Sequence, residues 1–185
     1  MAHSPDRGFT LLETVVALSL LTVALSALAP LVVMAARADA AAHASLVAQQ
    51  AAREKLEQLR GLAWSSDAGV VPVSDWSTDL SRSPQAAAGG TGLLSATADP
   101  LLSNVAGFCD FLDAGGRWLA GGSTPPAGAA WVRRWSVAAL DGLADTLVLQ
   151  VLVVPAQRAD RASTIPAARA INGAWLIDVR TRTTR

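Results

Sequence analysis

The chain has 185 residues, 51% of them hydrophobic and 16% charged, and its 15 basic and 15 acidic side chains cancel, so no global basic excess points to nucleic acid. One cysteine, Cys109, excludes an intrachain disulfide framework and a cysteine-rich zinc site. The two histidines, His3 and His43, lie near the N-terminus with no acidic or thiol cluster beside them, which excludes most His-dependent hydrolases and metal enzymes.

The apolar residues are concentrated early. Thr14 to Ala36 is a run of 23 positions without a charge, broken only by Ser, Thr and Pro30. As a helix it spans about 35 Å at ~1.5 Å per residue, enough for a bilayer core of roughly 30 Å. A soluble core helix rarely runs so far without a polar face, so this is a membrane segment. It can be read as a cleaved secretory signal, with Arg7 ahead of the run and Ala27-Leu28-Ala29 as a small-x-small site. Against that, Pro30 would follow the cut and Glu13 interrupts the start of the run. An uncleaved signal anchor is the second reading, and a third depends on the residues just before the run.

Two residues here have a plain physical reading. Thr10-x-x-Glu13 fits a capping box at a helix start. A carboxylate at the edge of an apolar run or within it also wants a partner, because near the bilayer centre it costs ~2.5–3.5 kcal/mol on insertion scales. Pro30 removes an intrahelical donor, and a gentle bend follows from that alone.

Residues 37–60 are rich in Ala, Gln, Arg and Glu, so the helix is expected to continue. Ala41, Ser45, Ala48, Ala52, Leu56, Leu59 and Ala63 recur at three- and four-residue steps as one small-apolar stripe. The run Arg53-Glu54-Lys55-Leu56-Glu57 reads as a solvated helix face. Gly61 weakens the helix near its end. From Phe9 to about Leu62 such a helix is ~80 Å long at ~1.5 Å per residue, apolar all round in its first half and amphipathic in its second.

After residue 63 the composition shifts to turns and strands, with 12 of the 14 glycines and seven of the nine prolines. Residues 64–92 read as an extended connection. Strands are expected at 107–112 and 117–119 around the turn Asp113-Ala114-Gly115-Gly116, at 130–138, at 146–154 after an Asp141-Gly142 turn, and at 175–180. Together they predict one small antiparallel sheet packed on the second half of the helix, an α+β head over 64–185.

No catalytic motif is present in the head, which has neither histidine nor lysine. Asp110 and Asp113 flank the first hairpin turn, where Asp is ordinary. Cys109, with no base near it, reads as a buried inert thiol. Trp131 and Trp135 share a strand face and read as core or interface, with core favoured. No metal site and no cofactor are expected. Residues 64–157 carry eight acids and four arginines, whereas 158–185 carry six arginines and two aspartates. Arg180, Arg182 and Arg185 could touch nucleic-acid phosphates, but a solvated terminus or neutralisation of the acidic part is the stronger reading.

The string Arg7-Gly8-Phe9-Thr10-Leu11-Leu12-Glu13, running into the apolar segment, resembles the N-terminus of type IV prepilins and pseudopilins. There a short basic leader ends in Gly, Phe usually follows, and a Glu stands at fixed spacing in an apolar helix. The resemblance implies a leader 1–8, an assembly and membrane helix 9–36, an amphipathic half 37–63, and the pilin fold. It implies cleavage between Gly8 and Phe9 by a prepilin peptidase, N-methylation of Phe9, and pairing of Glu13 with the N-terminal amine of a neighbouring subunit. Pro30 falls where many pilins carry a kink-forming proline. The segment Trp131 to Val137 with the apolar strand after it is similar to minor pilins of the PilV or GspI kind. The implied function is a structural subunit, not an enzyme, of a type IV pilus or type II secretion filament. Its implied partners are other pilins or pseudopilins, the peptidase and an inner-membrane assembly platform. Its implied place is the bacterial inner membrane, single-pass with a periplasmic head, and then the filament. A DNA-uptake pilus subunit and a membrane-anchored periplasmic binding module are the alternatives.

Overall fold

A computed structural model describes residues 10–62, 64–66, 72–74, 92–96, 98–161 and 172–182. The implied leader and the Gly8-Phe9 junction lie outside them, as do most of the connection 64–92 and Arg185. The chain forms two compact units, Met1–Ala41 and Ala42–Arg185.

The first unit is helical throughout its described part. Helix α1, Leu11–Gly61, begins here and contains Pro30. Thr10 caps it, its Oγ1 accepting the Glu13 amide at 3.3 Å. Leucine and alanine favour the helix, and the polar side chains do not oppose it. The hydroxyls of Ser19, Thr22 and Ser26 donate to carbonyls four residues back at 2.7–2.8 Å, so no hydroxyl proton is left unpaired among apolar neighbours. Every residue from Leu11 to Ala40 is exposed, including Leu11, Leu12, Leu20 and Val23. Among the described residues, this is the one helix long and apolar enough to cross a membrane.

Among the described residues, the second unit holds the rest of α1 and seven strands. β1 (Trp64–Ser66) and β2 (Pro72–Ser74) pair antiparallel as a two-stranded sheet, where an extended connection was expected. β3 (Cys109–Leu112), β4 (Trp118–Gly121), β5 (Trp131–Leu140), β6 (Leu143–Pro155) and β7 (Ala174–Thr181) form a five-stranded antiparallel sheet in the order β4-β3-β5-β6-β7. A 3₁₀ helix, Ala156–Arg161, follows β6. The β3–β4 turn carries Gly116 at φ 82° and the β5–β6 turn Gly142 at φ 80°, conformations that glycine adopts without strain. This is the α+β, pilin-like architecture: one long N-terminal helix and a five-stranded antiparallel sheet. β5 and β6 run longer than the sequence suggests because the hairpin continues out to Asp141-Gly142 with Leu140 and Leu143 exposed, so hydrophobicity alone does not mark their ends.

One face of the sheet packs on Ala48, Ala51, Ala52, Leu56 and Leu59 of α1 and on Leu62 just after it. It contributes Trp131, Trp135, Val137, Leu147, Leu149, Val151 and Val153 to that core. The other face carries a smaller cluster of Phe111, Val132, Leu152, Val154 and Ala159. Alternate residues of β5 therefore serve different cores, as a period of two requires.

Candidate functional site

The N-terminal segment carries the processing and assembly residues implied by the resemblance. Of these, Glu13 and Pro30 are described. Glu13 stands in the first turn of α1, exposed, and its backbone is engaged by the Thr10 cap. A carboxylate in a helix's first turn interacts favourably with the positive end of the helix dipole. Its side chain is open to a partner from outside. Pro30 lies inside α1, on a stretch with no buried residue.

The head contains a second constellation, which the sequence reading assigned to a solvated face and a turn. Lys55 and Asp110 are both fully buried. Asp110 on β3 stands opposite Arg133 on β5. The Arg133 guanidinium donates to both carboxylate oxygens, Nε to Oδ1 at 2.9 Å and Nη2 to Oδ2 at 2.8 Å, and its Nη1 donates to the Ala51 carbonyl at 3.1 Å. Lys55 of α1 reaches Asp110 Oδ2 at 3.3 Å and sits 4.3 Å above the centre of the Trp135 ring. Glu54, half exposed, lies 3.7 Å from Arg133 and completes the charge balance. Burial pushes the Lys55 ammonium down to about 8, against the opposing pull of Asp110. A cleft of about 400 Å³ opens beside the cluster, between Gln50 and Glu54 of the helix and Gly115 to Trp118 of the hairpin. The cluster offers no nucleophile with a base, and its geometry ties helix to sheet. Asp113 is the turn residue it was expected to be, its Oδ1 accepting the amides of Gly115 and Arg117 at 2.9 Å.

Trp131 and Trp135 are 6% and 0% exposed and belong to the helix-facing core. Their indole nitrogens are buried without a hydrogen-bond partner among the described residues. On the opposite face Arg134 is 1% exposed and donates to Asn104 Oδ1 at 2.9 Å and to the Leu101 carbonyl at 3.0 Å, fixing the loop before β3. Cys109 donates its thiol proton to the Gly122 carbonyl at 2.8 Å, and burial pushes its pKa up to about 11. It is a poor nucleophile there. Among the described residues, no group of three His, Cys, Asp or Glu could hold a metal ion. Of the C-terminal arginines, the two described are engaged within the head: Arg182 pairs with Asp145 at 2.8 Å, and Arg180 donates to the Leu59 carbonyl at 3.4 Å and lies 5.7 Å from the centre of the Trp64 ring.

Residues 3–29 match the family model of the prokaryotic N-terminal methylation motif. The matched span contains Gly8, Phe9 and Glu13 and ends one residue before Pro30. The motif implies a type IV pilin-like subunit that is processed as a prepilin and assembles with other pilins. Neither the curated proteins nor the solved structures compared with this chain gave a match.

The motif and the ion cluster differ in how a sequence reveals them. The motif is contiguous. The cluster joins positions 55, 110 and 133, which nothing but strand register and helix packing brings together. One local signal did point to it: position 55 lies seven residues from both Ala48 and Leu62, in the middle of the buried stripe, and carries the chain's single lysine.

Proposed function

We propose that this protein is a minor pilin or pseudopilin, a subunit of a type IV pilus or type II secretion filament. The observation that carries this reading is the coincidence of two features over one stretch: the methylation motif at 3–29 and a helix exposed along its whole apolar length. An uncovered surface of this size is stable only in lipid or against other helices, and polymerisation through the helix exchanges the first environment for the second. A prepilin peptidase cuts between Gly8 and Phe9, and the new amine is methylated. Glu13 neutralises the amine of an adjacent subunit as the helices bundle. The head stands in the periplasm until an inner-membrane assembly platform extracts the subunit. Engagement of Arg180 and Arg182 within the head favours this structural role over a phosphate-binding one. Mass spectrometry of the mature N-terminal peptide tests the reading. The expected result is a chain starting at methylated Phe9; one starting at Leu28, Ala29 or Pro30 would make the segment an ordinary secretory signal.

A further inference from the structure

The cleft beside the buried ion cluster has fixed walls. On one side the β3–β4 turn is held by Asp113, whose Oδ1 accepts the Gly115 and Arg117 amides at 2.9 Å and whose own amide donates to the Arg117 carbonyl at 2.8 Å. Gly116 sets that turn close against the helix, since a Cβ there would come within 3.2 Å of Val47. On the other side Gln50 and Glu54 stand one turn apart on the same face of α1. Leu112 and Trp118 add an apolar stretch, and Arg133 lines the cleft from β5. Its volume of about 400 Å³ lies at the small end of ligand pockets, which run from about 300 to 1,000 Å³.

The charges around this cleft do not close on themselves. A guanidinium carries five N–H donors. Arg133 is 1% exposed, and three of its donors go to Asp110 and the Ala51 carbonyl. One proton on Nη1 and one on Nη2 have no hydrogen-bond partner among the described residues. Glu54, at 3.7 Å from Nη1, attracts it without bonding. A buried donor left in this state costs free energy that an acceptor on a ligand recovers. Arg117, exposed on the hairpin wall, has neither an ion pair nor a side-chain hydrogen bond among the described residues. Three cations, Lys55, Arg117 and Arg133, stand against two carboxylates, Asp110 and Glu54, so one positive charge is left over.

We propose that this cleft binds an α-carboxylate whose neighbouring nitrogen carries a proton, the chemistry of a polypeptide's C-terminal end and of a free amino acid. The carboxylate accepts the spare protons of Arg133 and pairs with Arg117, because a planar guanidinium matches a planar carboxylate. The nitrogen donates to Glu54, and a small apolar side chain lies against Leu112 and Trp118. Phosphate fits less well. Glu54 repels a dianion, whereas the one uncompensated charge balances a monoanion. The proposal concerns the head alone and does not depend on the filament reading.

The test titrates the full, isotopically labelled chain in detergent micelles with acetyl-alanylalanine. Nuclear magnetic resonance follows the backbone amides of Gly115, Gly116 and Arg117 and the Arg133 guanidinium. These signals are expected to shift together, with a dissociation constant of about 1 mM or tighter. Amidating the peptide's carboxyl group should abolish the shifts. Arg117→Gln, at an exposed position whose substitution leaves the fold intact by circular dichroism, should weaken binding about tenfold. Acetate, which lacks the nitrogen, should bind more weakly than the peptide, and Glu54→Ala should narrow that gap. Free alanine titrated in parallel separates the two sources: the tighter of the two ligands names the class, and either result fulfils the proposal. Equal binding of the amidated peptide, of acetate or of inorganic phosphate would each overturn it. So would an affinity unchanged in Arg117→Gln, a gap unchanged in Glu54→Ala, or the absence of any shift.

Discussion

Asp110 and Arg133 face each other across β3 and β5, joined by two N–H···O bonds of 2.9 and 2.8 Å, with both side chains at most 1% exposed. Lys55 shares the same carboxylate from the helix side. One buried anion thus holds two cations from two different elements. Its desolvation is offset by the paired geometry and by the Ala51 carbonyl, which takes a further guanidinium proton.

Residues 37–185 are expected to form a soluble, folded fragment. The helix residues buried against the sheet begin at Ala48, so removing 1–36 takes away exposed surface and none of the described core. Circular dichroism should show mixed helix and strand, with a cooperative melt. An insoluble or unstructured product would mean that the apolar half of the helix contributes to the head.

In that fragment Asp110→Asn should destabilise strongly. It leaves Arg133 and Lys55 buried without their anion, and breaking one side of a buried pair typically costs about 3–5 kcal/mol. Urea denaturation measures the change. A loss below about 1 kcal/mol, the size of an exposed pair, would show that water reaches the cluster.

Lys55 should give the head an unusual alkaline stabilisation. Its pKa is about 8 when folded and 10.5 ordinarily. Between those values the unfolded chain holds the extra proton, so unfolding free energy rises with pH; below about 8 both states are charged and the full penalty of burying the ammonium is present. Facing it are Asp110 from β3, Arg133 and the Trp135 ring from β5, and Glu54 from its own helix. The expected gain from about pH 8 to pH 10 is on the order of 1–3 kcal/mol. Lys55→Met should remove this rise and leave only the opposite, downward slope that Cys109 imposes above about pH 9, where burial holds its thiol protonated up to about 11; stability at neutral pH should be unchanged or higher, since Asp110 keeps both Arg133 bonds. Urea midpoints across this range, wild type beside variant, decide it. A flat wild-type profile contradicts the expectation.

Glu13→Ala should insert normally and fail to enter filaments. Removing a carboxylate makes the segment more apolar, so insertion becomes easier. The lost N-terminal turn interactions are worth about 0.5–2 kcal/mol, and Thr10 still caps the helix. An unpaired amine in an apolar bundle costs more, typically ~3–5 kcal/mol. Sheared filaments are separated from membranes for Glu13→Ala and Glu13→Gln. Wild-type amounts of either in the filament fraction would leave capping as the residue's whole role.

How much of this was legible varies by residue. Ala48, Ala52, Leu56 and Leu59 could be placed in the core from spacing alone, because a helix repeats every 3.6 residues and each position reports its own face. Trp131 and Trp135 could be placed on one face by strand parity. Lys55 and Asp110 could not, because a charged residue is normally solvated and nothing local announces the partner that makes burial tolerable. Ala51 was missed as well: alanine carries too little hydrophobic signal to widen the stripe.

By itself, the sequence determined what depends on neighbours along the chain: the methylation motif, the uncharged 23-residue run, the Thr10 cap, the hairpin turns at Asp113 and Asp141, and the α+β class. The tertiary structure alone decided what depends on register between distant segments. It placed Asp110 opposite Arg133, slid Lys55 over Trp135, and set β4 and β7 at the two edges of the five-stranded sheet. The reason is physical. Helix and strand periods are set within a few residues, whereas strand order and the phase of a helix on a sheet are set by the free energy of the whole packed core, to which no short segment holds the answer.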